Sequence, residues 1–281
     1  MKDPVRLIAI DMDGTLLRSD QTIAPETLLD LKDAADQGMI IVLCTGRAPA
    51  EMRDFDGTLP MIRYAVCSSG ALVCDRTTSR IIYRQEIRQP QIAEILKIAK
   101  KYRAMPQFLT EKESIVSSDD IQRMNEYGMG AYQPMYLRTA TQAASMEAEC
   151  GQLASVSKFN IYFHTPEDRT AAFEELKHLP LTFALSGTSA LEMTTEGVNK
   201  AAGLLFLGEY LHIPAAQIAG IGDSDNDRPM LEAASFSVAM GSAAETIRKS
   251  CDLVTDDNDH NGVGKAVRYI LEASERLKGE S

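Results

Sequence analysis

The sequence predicts an α/β protein: a doubly wound, mostly parallel, Rossmann-like sheet core with an α+β module inserted into it. Three observations carry that expectation. LIAI (7–10), MIIVLC (39–44) and IAGIG (218–222) are continuous apolar runs, the pattern of strands buried on both faces. Stretches of helical periodicity lie between such runs, as parallel crossovers require. Between about residues 85 and 188 the pattern changes to alternating, strand-like pieces, which marks a layer with one face covered differently from the other.

The elements follow in order. After the first strand, PETLLDLKDAADQG (25–38) places Leu28, Leu31 and Ala35 at helical spacing, and Gly38 ends the helix. The 39–44 strand is followed by YAVCSSGALVCD (64–75), a strand pair with a turn expected near DRTTSR (75–80). QPQIAEILKIAKKY (89–102) puts Ile92, Ile95, Leu96 and Ala99 on one helix face. The strand-like ESIVSS, SVSKFNIYFH and LTFALSG and the helix-like PEDRTAAFEELKHL complete the insertion. The core pattern then returns: helix 200–213, strand 217–223, helix near 228–234, strand SFSVAM, helix SAAETIRKS, strand DLVT and a closing helix from about 264. The expected organisation is core 1–84, inserted module 85–188 and core 189–281.

Composition excludes several function classes. With 29 basic and 40 acidic residues the formal charge is −11, which offers no long-range attraction to nucleic acid or to an anionic membrane. No apolar run approaches the length needed to span a bilayer, and the N-terminus reads as a first strand and not as a signal peptide. The expected location is the cytoplasm. The five cysteines are scattered and lack a CxxC pair, which fits reduced core thiols better than disulfides or zinc. The histidines are isolated and form no metal or triad pattern.

The chemistry lies at strand ends. In an open parallel sheet, reactive polar residues sit just past the carboxyl ends of the strands. Three strands end that way here: the first at Asp11, the second at Thr45 and Gly46, and the 217–223 strand at Asp223. Acids gathered on one rim need positive charge among them, and Mg²⁺, a hard cation with oxygen ligands, is the natural partner. Carboxylates with Mg²⁺ point to phosphate chemistry. DMDGT (11–15) read alone also fits an Asx-rich turn leaving a strand, a common event. CTGR (44–47) offers a hydroxyl and backbone amides that can cradle phosphate oxygens, or simply an N-capping Thr45. Lys200 opens a helix, where the dipole disfavours it, unless it neutralises phosphate. GDSDND (222–227) begins like a Ca²⁺-binding loop but has Arg228 where glycine is needed and Ala234 where the closing glutamate belongs.

In sequence order DMDGTLL, CTGR, Lys200 and GDSDND, flanked by SSGA, GVNK, VAMG and NGVGKAV, resemble the haloacid dehalogenase superfamily of phosphohydrolases, and within it the Cof-type branch. The resemblance spans the core, and the insertion lies between the second and third motifs, where that branch carries its cap. It implies an Mg²⁺-dependent phosphatase of small phosphorylated metabolites, such as sugar phosphates or phosphorylated cofactors. Asp11 would be the nucleophile that forms an aspartyl-phosphate, and Asp13 the acid and base. Lys200, Thr45, Gly46 and Asn226 would hold the phosphate. Asp11, Asp223 and the Asp13 carbonyl would hold Mg²⁺, with Asp227 fixing Lys200 or metal-bound water. Ser69 and Ser242 stand where the family often has asparagine. Two other readings fit the same core: a phosphotransferase or mutase that passes the group to a sugar hydroxyl, and a phospho-acceptor or metabolite-binding regulator without turnover. The expected partner is a small phosphate monoester, not nucleic acid or membrane.

Overall fold

The computed structural model describes residues 1 and 3–279. The chain divides into two compact units, each discontinuous: Met1–Thr45, Phe55–Tyr83 and Asn199–Ser281 form the first, and Gly46–Asp54 with Arg84–Val198 the second.

The first unit is built on an eight-stranded sheet whose order is Leu253–Val254, Phe236–Ala239, Ile218–Gly222, Leu7–Ile10, Ile40–Cys44, Tyr64–Cys67, Leu72–Asp75 and Arg80–Arg84. The first six run parallel, and Leu72–Asp75 turns back antiparallel against Tyr64–Cys67. Leu7–Ile10 is fully buried and central because all four of its residues are apolar. Later strands leave it in opposite directions, towards Ile40–Cys44 on one side and Ile218–Gly222 on the other, so its carboxyl end is the topological switch point. Leu7, Ala9, Val42, Val66, Leu204, Leu207 and Met230 belong to the core of one sheet face.

The first helix, Pro25–Asp36, is rotated from its expected face: Thr27, Leu31 and Ala34 are its buried residues, while Leu28 and Ala35 are half-buried. The Thr27 hydroxyl donates to Asn261 Oδ1 at 2.6 Å, a buried hydrogen bond that draws Thr27 inward. Gly38, at φ +87°, supplies the left-handed residue that ends the helix.

At the antiparallel edge, Arg63 donates through Nε and Nη2 to Asp75 Oδ2 at 3.0 and 2.7 Å. These bonds, with those from Thr77, hold the Asp75 carboxyl down at about 2. A depressed carboxylate stabilises the fold above its unfolded value and loses that contribution as pH falls towards the folded one. Arg63→Ala is therefore expected to melt below the wild type at neutral pH, with the gap closing between about pH 4 and pH 2 when melting is followed across pH. A gap that persists at pH 2 would show that Arg63 acts through packing instead.

The second unit carries a six-stranded sheet of order Leu181–Ser186, Ala190–Thr195, Lys158–Tyr162, Met105–Leu109, Ser114–Ser117 and Ala140–Ala143. Its pairings are antiparallel except the last. One face, with Phe108, Ile115, Phe159, Ile161, Leu191 and Met193, shares a core with Ile92, Ile95, Leu96 and Ala99 of helix Gln89–Lys101 and with Ala172 and Leu176 of helix Pro166–Leu176. The expected boundary at 188 falls just before Ala190–Thr195, which pairs with both Leu181–Ser186 and Lys158–Tyr162 and so belongs to this sheet. Residues 46–54, expected in the core, join this unit instead, because Glu51 accepts a hydrogen bond from Gln107 Nε2 at 2.9 Å. The segment 118–139, for which the sequence offered no element, holds two short helices, Ser118–Gln122 and Gln133–Thr139, joined by 3₁₀ turns. Among the described residues no helix is long and apolar enough to cross a membrane.

Candidate active site

The switch point of the first unit gathers an acid cluster around one ammonium. Asp11 follows the central strand and is 4% exposed; Lys200, first residue of helix Lys200–Tyr210, is 1% exposed; Asp227 is fully buried. Lys200 Nζ donates to Asp11 Oδ1 and to Asp227 Oδ1, both at 2.5 Å. Asn199 caps the helix by accepting from the Ala202 amide, which fixes where Lys200 starts. The position that the dipole disfavours is thus held by two carboxylates.

Asp227 is fully committed to this framework. Its Oδ2 accepts from the backbone amides of Asp223 and Ser224, both at 3.0 Å, and from the Ser224 hydroxyl. Asp227 therefore ties the end of strand Ile218–Gly222 to Lys200. Gly222 is required beneath it, since a Cβ there would lie 2.7 Å from Asp227 Cβ. Asp223 Oδ1 accepts from the Thr15 hydroxyl at 2.7 Å. Gly14, at φ +83°, lets the chain pass Asp223, because a Cβ would come within 2.7 Å of its Oδ2.

Electrostatics follow from one ammonium among several carboxylates. Burial, then the charge of Asp227, raise the Asp11 acid well above the usual carboxylate range, against the pull of Lys200. Burial alone would push Lys200 down, but Asp11 and Asp227 outweigh it and hold the ammonium protonated. Burial likewise takes Asp223 up to about 6, with the Thr15 hydrogen bond opposing. The cluster lacks positive charge.

A divalent cation fits that deficit. Asp11, Asp223 and Asp227 each offer a carboxylate oxygen, all within 4.8 Å of one another. An all-oxygen donor set suits a hard ion such as Mg²⁺. Because both Asp227 oxygens already serve Lys200 and the 223–224 amides, Asp11 and Asp223 are the better ligands of the three.

The remaining expected residues are placed as follows. Asp13 is half-buried, bridges to Leu17, and lies near enough to Asp223 to raise its acid. Thr45 is buried at the end of its strand; its amide donates to the Val66 carbonyl, and its carbonyl accepts from the Ser69 amide at 3.0 Å. Gly46 is the first residue of the second unit, where its carbonyl accepts from Lys158 Nζ at 3.3 Å. Asn226 is half-buried and accepts from the Ser224 hydroxyl, with no direct bond to the Lys200 cluster. Ser69 is buried in a left-handed turn, φ +53°, and Ser242 is exposed. Gly70, next in that turn at φ +99°, would place a Cβ 1.9 Å from the Asn199 carbonyl oxygen, so the turn lies directly against the start of the Lys200 helix. Sequence reasoning missed Thr15, although it stands inside the DMDGT motif, and missed Ser224, whose amide and hydroxyl both bind Asp227.

Known proteins resemble this chain in sequence and in fold. The family described as haloacid dehalogenase-like hydrolase matches residues 8–267. A 5-amino-6-(5-phospho-D-ribitylamino)uracil phosphatase of Bacillus subtilis is 27% identical over 267 residues, covering 94% of this chain and 95% of its own. A second Bacillus subtilis phosphatase is 26% identical, covering 95% of this chain and all of its own length. A haloacid dehalogenase-like hydrolase of B. subtilis superposes with a TM-score of 0.85 at 25% identity, covering 94% of this chain and 99% of that one. A HAD subclass IIB sugar phosphatase shares the fold at a TM-score of 0.80 and 21% identity, covering 94% and 98%. With its family match running through nearly the whole chain, this protein belongs to the haloacid dehalogenase-like hydrolases.

Proposed function

We propose that this hydrolase is an Mg²⁺-dependent phosphatase of small phosphorylated metabolites, sugar phosphates or phosphorylated cofactors, working through an aspartyl-phosphate. The observation that carries the reading is the buried Lys200 ammonium bonded at once to Asp11, at the end of the central strand, and to Asp227. The relatives named as phosphatases support it, one of them for a phosphoribitylamino-uracil.

In the first step an Asp11 carboxylate oxygen attacks phosphorus, the bond to the leaving oxygen breaks, and Asp13 gives that oxygen a proton. In the second, Asp13 takes a proton from water, whose oxygen attacks phosphorus, and the bond to Asp11 breaks to release phosphate and restore the carboxylate. Lys200 steadies Asp11 and offsets the charge on the transferring oxygens; Thr45, Gly46 and Asn226 bind those oxygens. Asp227 keeps Lys200 in place. Mg²⁺, held by Asp11, Asp223 and the Asp13 carbonyl, would supply the positive charge that lets a doubly negative ester approach four acids.

Phosphate release from an aryl phosphate is expected with Mg²⁺, to cease with chelator, and to return when Mg²⁺ is restored. A binding readout accompanies it: Mg²⁺ is expected to raise the melting temperature of the wild type, by mass action on the folded state, but not that of Asp223→Asn. Release that continues in excess chelator, or an equal rise in both proteins, would defeat the metal assignment.

A further inference from the structure

The antiparallel edge of the first unit sets two thiols side by side. Cys67 ends strand Tyr64–Cys67 and Cys74 lies in Leu72–Asp75, with their sulfurs 3.9 Å apart and no disulfide joining them. Register pairs Cys67 with Leu72 and Cys74 with Ala65, so the two cysteines are diagonal neighbours on one sheet face. Val66 and Val73 take the other face, in the core with Leu204. Cys67 is fully buried and Cys74 is 5% exposed.

The two sulfurs differ in chemistry. A hydrogen bond from Cys67 draws the Cys74 thiol below its ordinary value, with burial opposing and the Arg76 guanidinium assisting. The same bond, and then burial, hold the Cys67 thiol well above its own. Cys74 is thus the sulfur that ionises more easily and the one nearer solvent, while Cys67 stands beside it as a resolving thiol.

Joining them would move the backbone. A disulfide needs its sulfurs about 2.0 Å apart, and diagonal positions across an antiparallel pair lie at the limit of what can be bridged without backbone movement. Closing the 3.9 Å gap therefore draws in both stems of the turn 68–73. That turn has little freedom of its own. Ser68, Ser69 and Gly70 are all left-handed, at φ 50°, 53° and 99°. The Ser69 amide donates to the Thr45 carbonyl at 3.0 Å. Gly203 of helix Lys200–Tyr210 packs so closely on the turn that a Cβ there would come 3.0 Å from Gly70 Cα. A shift of the stems is thus passed to Thr45 and to the start of the Lys200 helix.

We propose that Cys67 and Cys74 form a reversible disulfide when the protein meets hydrogen peroxide, and that the bond lowers activity by displacing the 68–73 turn against Thr45 and Lys200. The Cys74 sulfur attacks a peroxide oxygen, the O–O bond breaks, and a sulfenic acid forms as one water leaves. The Cys67 sulfur then attacks the Cys74 sulfur, the S–O bond breaks, and the departing hydroxide takes the Cys67 proton as a second water. Two electrons and two protons pass from the thiols to the peroxide. An added thiol reverses the bond by exchange. The effect on turnover rests on the phosphatase reading above; the bond and the movement of the turn do not.

The test treats the full chain, first reduced and holding Mg²⁺, with hydrogen peroxide. Trypsin cuts after Arg63 and Arg76, so both cysteines fall in one peptide, 64–76. That peptide is expected to become lighter by two hydrogen atoms and to resist alkylation, while amide exchange across 68–73 quickens. Phosphate release is expected to fall by at least about ten-fold, since a misplacement of about 1 Å can cost about a hundred-fold. Dithiothreitol is expected to restore all three. Cys74→Ala is expected to match the reduced wild type and to keep its rate and exchange under peroxide; Cys74→Ser, which keeps the size but cannot bridge, replaces it should the alanine variant not fold. Absence of the cross-link in 64–76, equal loss of rate in the variant, or a cross-link that leaves rate and exchange unchanged would overturn the proposal. A reduced wild type that releases no phosphate with Mg²⁺ would defeat the phosphatase reading, while cross-link and exchange still decide this one.

Discussion

Asp11→Asn is expected to lower phosphate release by roughly ten-thousand-fold or more, the scale seen when a covalent nucleophile is removed. The fold should survive, because asparagine keeps the side-chain oxygen that Lys200 reaches at 2.5 Å. It also removes the buried charge whose burial, and then the repulsion of Asp227, raise the Asp11 group. Rate and stability are thus expected to move in opposite directions: no turnover, and a melting temperature equal to or above that of the wild type. Covalent labelling by phosphate after quenching in acid should appear in the wild type and vanish in the variant. A variant that retains a tenth of the wild-type rate would remove Asp11 from the nucleophile's role.

Lys200→Met is expected to be among the most destabilising single changes in the first unit. The ammonium is buried, and its removal strands Asp11 and Asp227 without a countercharge. Breaking one side of a buried ion pair costs about 3–5 kcal/mol. In a chain of this length that corresponds to a loss of roughly 10 °C in melting temperature. Adding Asp227→Asn to Lys200→Met removes one stranded charge and should recover part of the loss, a coupling that a double-mutant cycle measures. Additive effects of the two changes would show that Lys200 and Asp227 do not act as a pair. Turnover should be lost in both proteins, since both lack the Lys200 ammonium that holds Asp11.

The first unit was legible in the sequence because its strands are apolar on both faces. LIAI and IAGIG need no partner to be recognised, and the acids that end them mark the rim. The Lys200 cluster followed from motif order. What escaped there was detail set by tertiary contacts, such as the inward turn of Thr27 towards Asn261. The second unit was less legible for a specific reason. KFNIY at Lys158–Tyr162 alternates as a strand does, but the pattern does not say what covers the face that carries Lys158 and Asn160. Both are buried, because long-range partners in Gln107, Glu192 and Gly46 supply the hydrogen bonds that water otherwise would. The expected end of this unit, at 188, lies at the turn around Gly187, where the chain returns as one more strand, Ala190–Thr195.

The passage of residues 46–54 into the second unit bears on how such a protein can be recombined with its relatives. A cap exchanged by cutting only near 84 and 198 would arrive without the strip of chain that completes it. Gln107 would lose the Glu51 carboxyl and Lys158 the Gly46 carbonyl. The exchangeable unit is therefore two segments, separated by residues 55–83, that have to travel together. A chimaera that grafts both should fold where one that grafts only the longer piece aggregates.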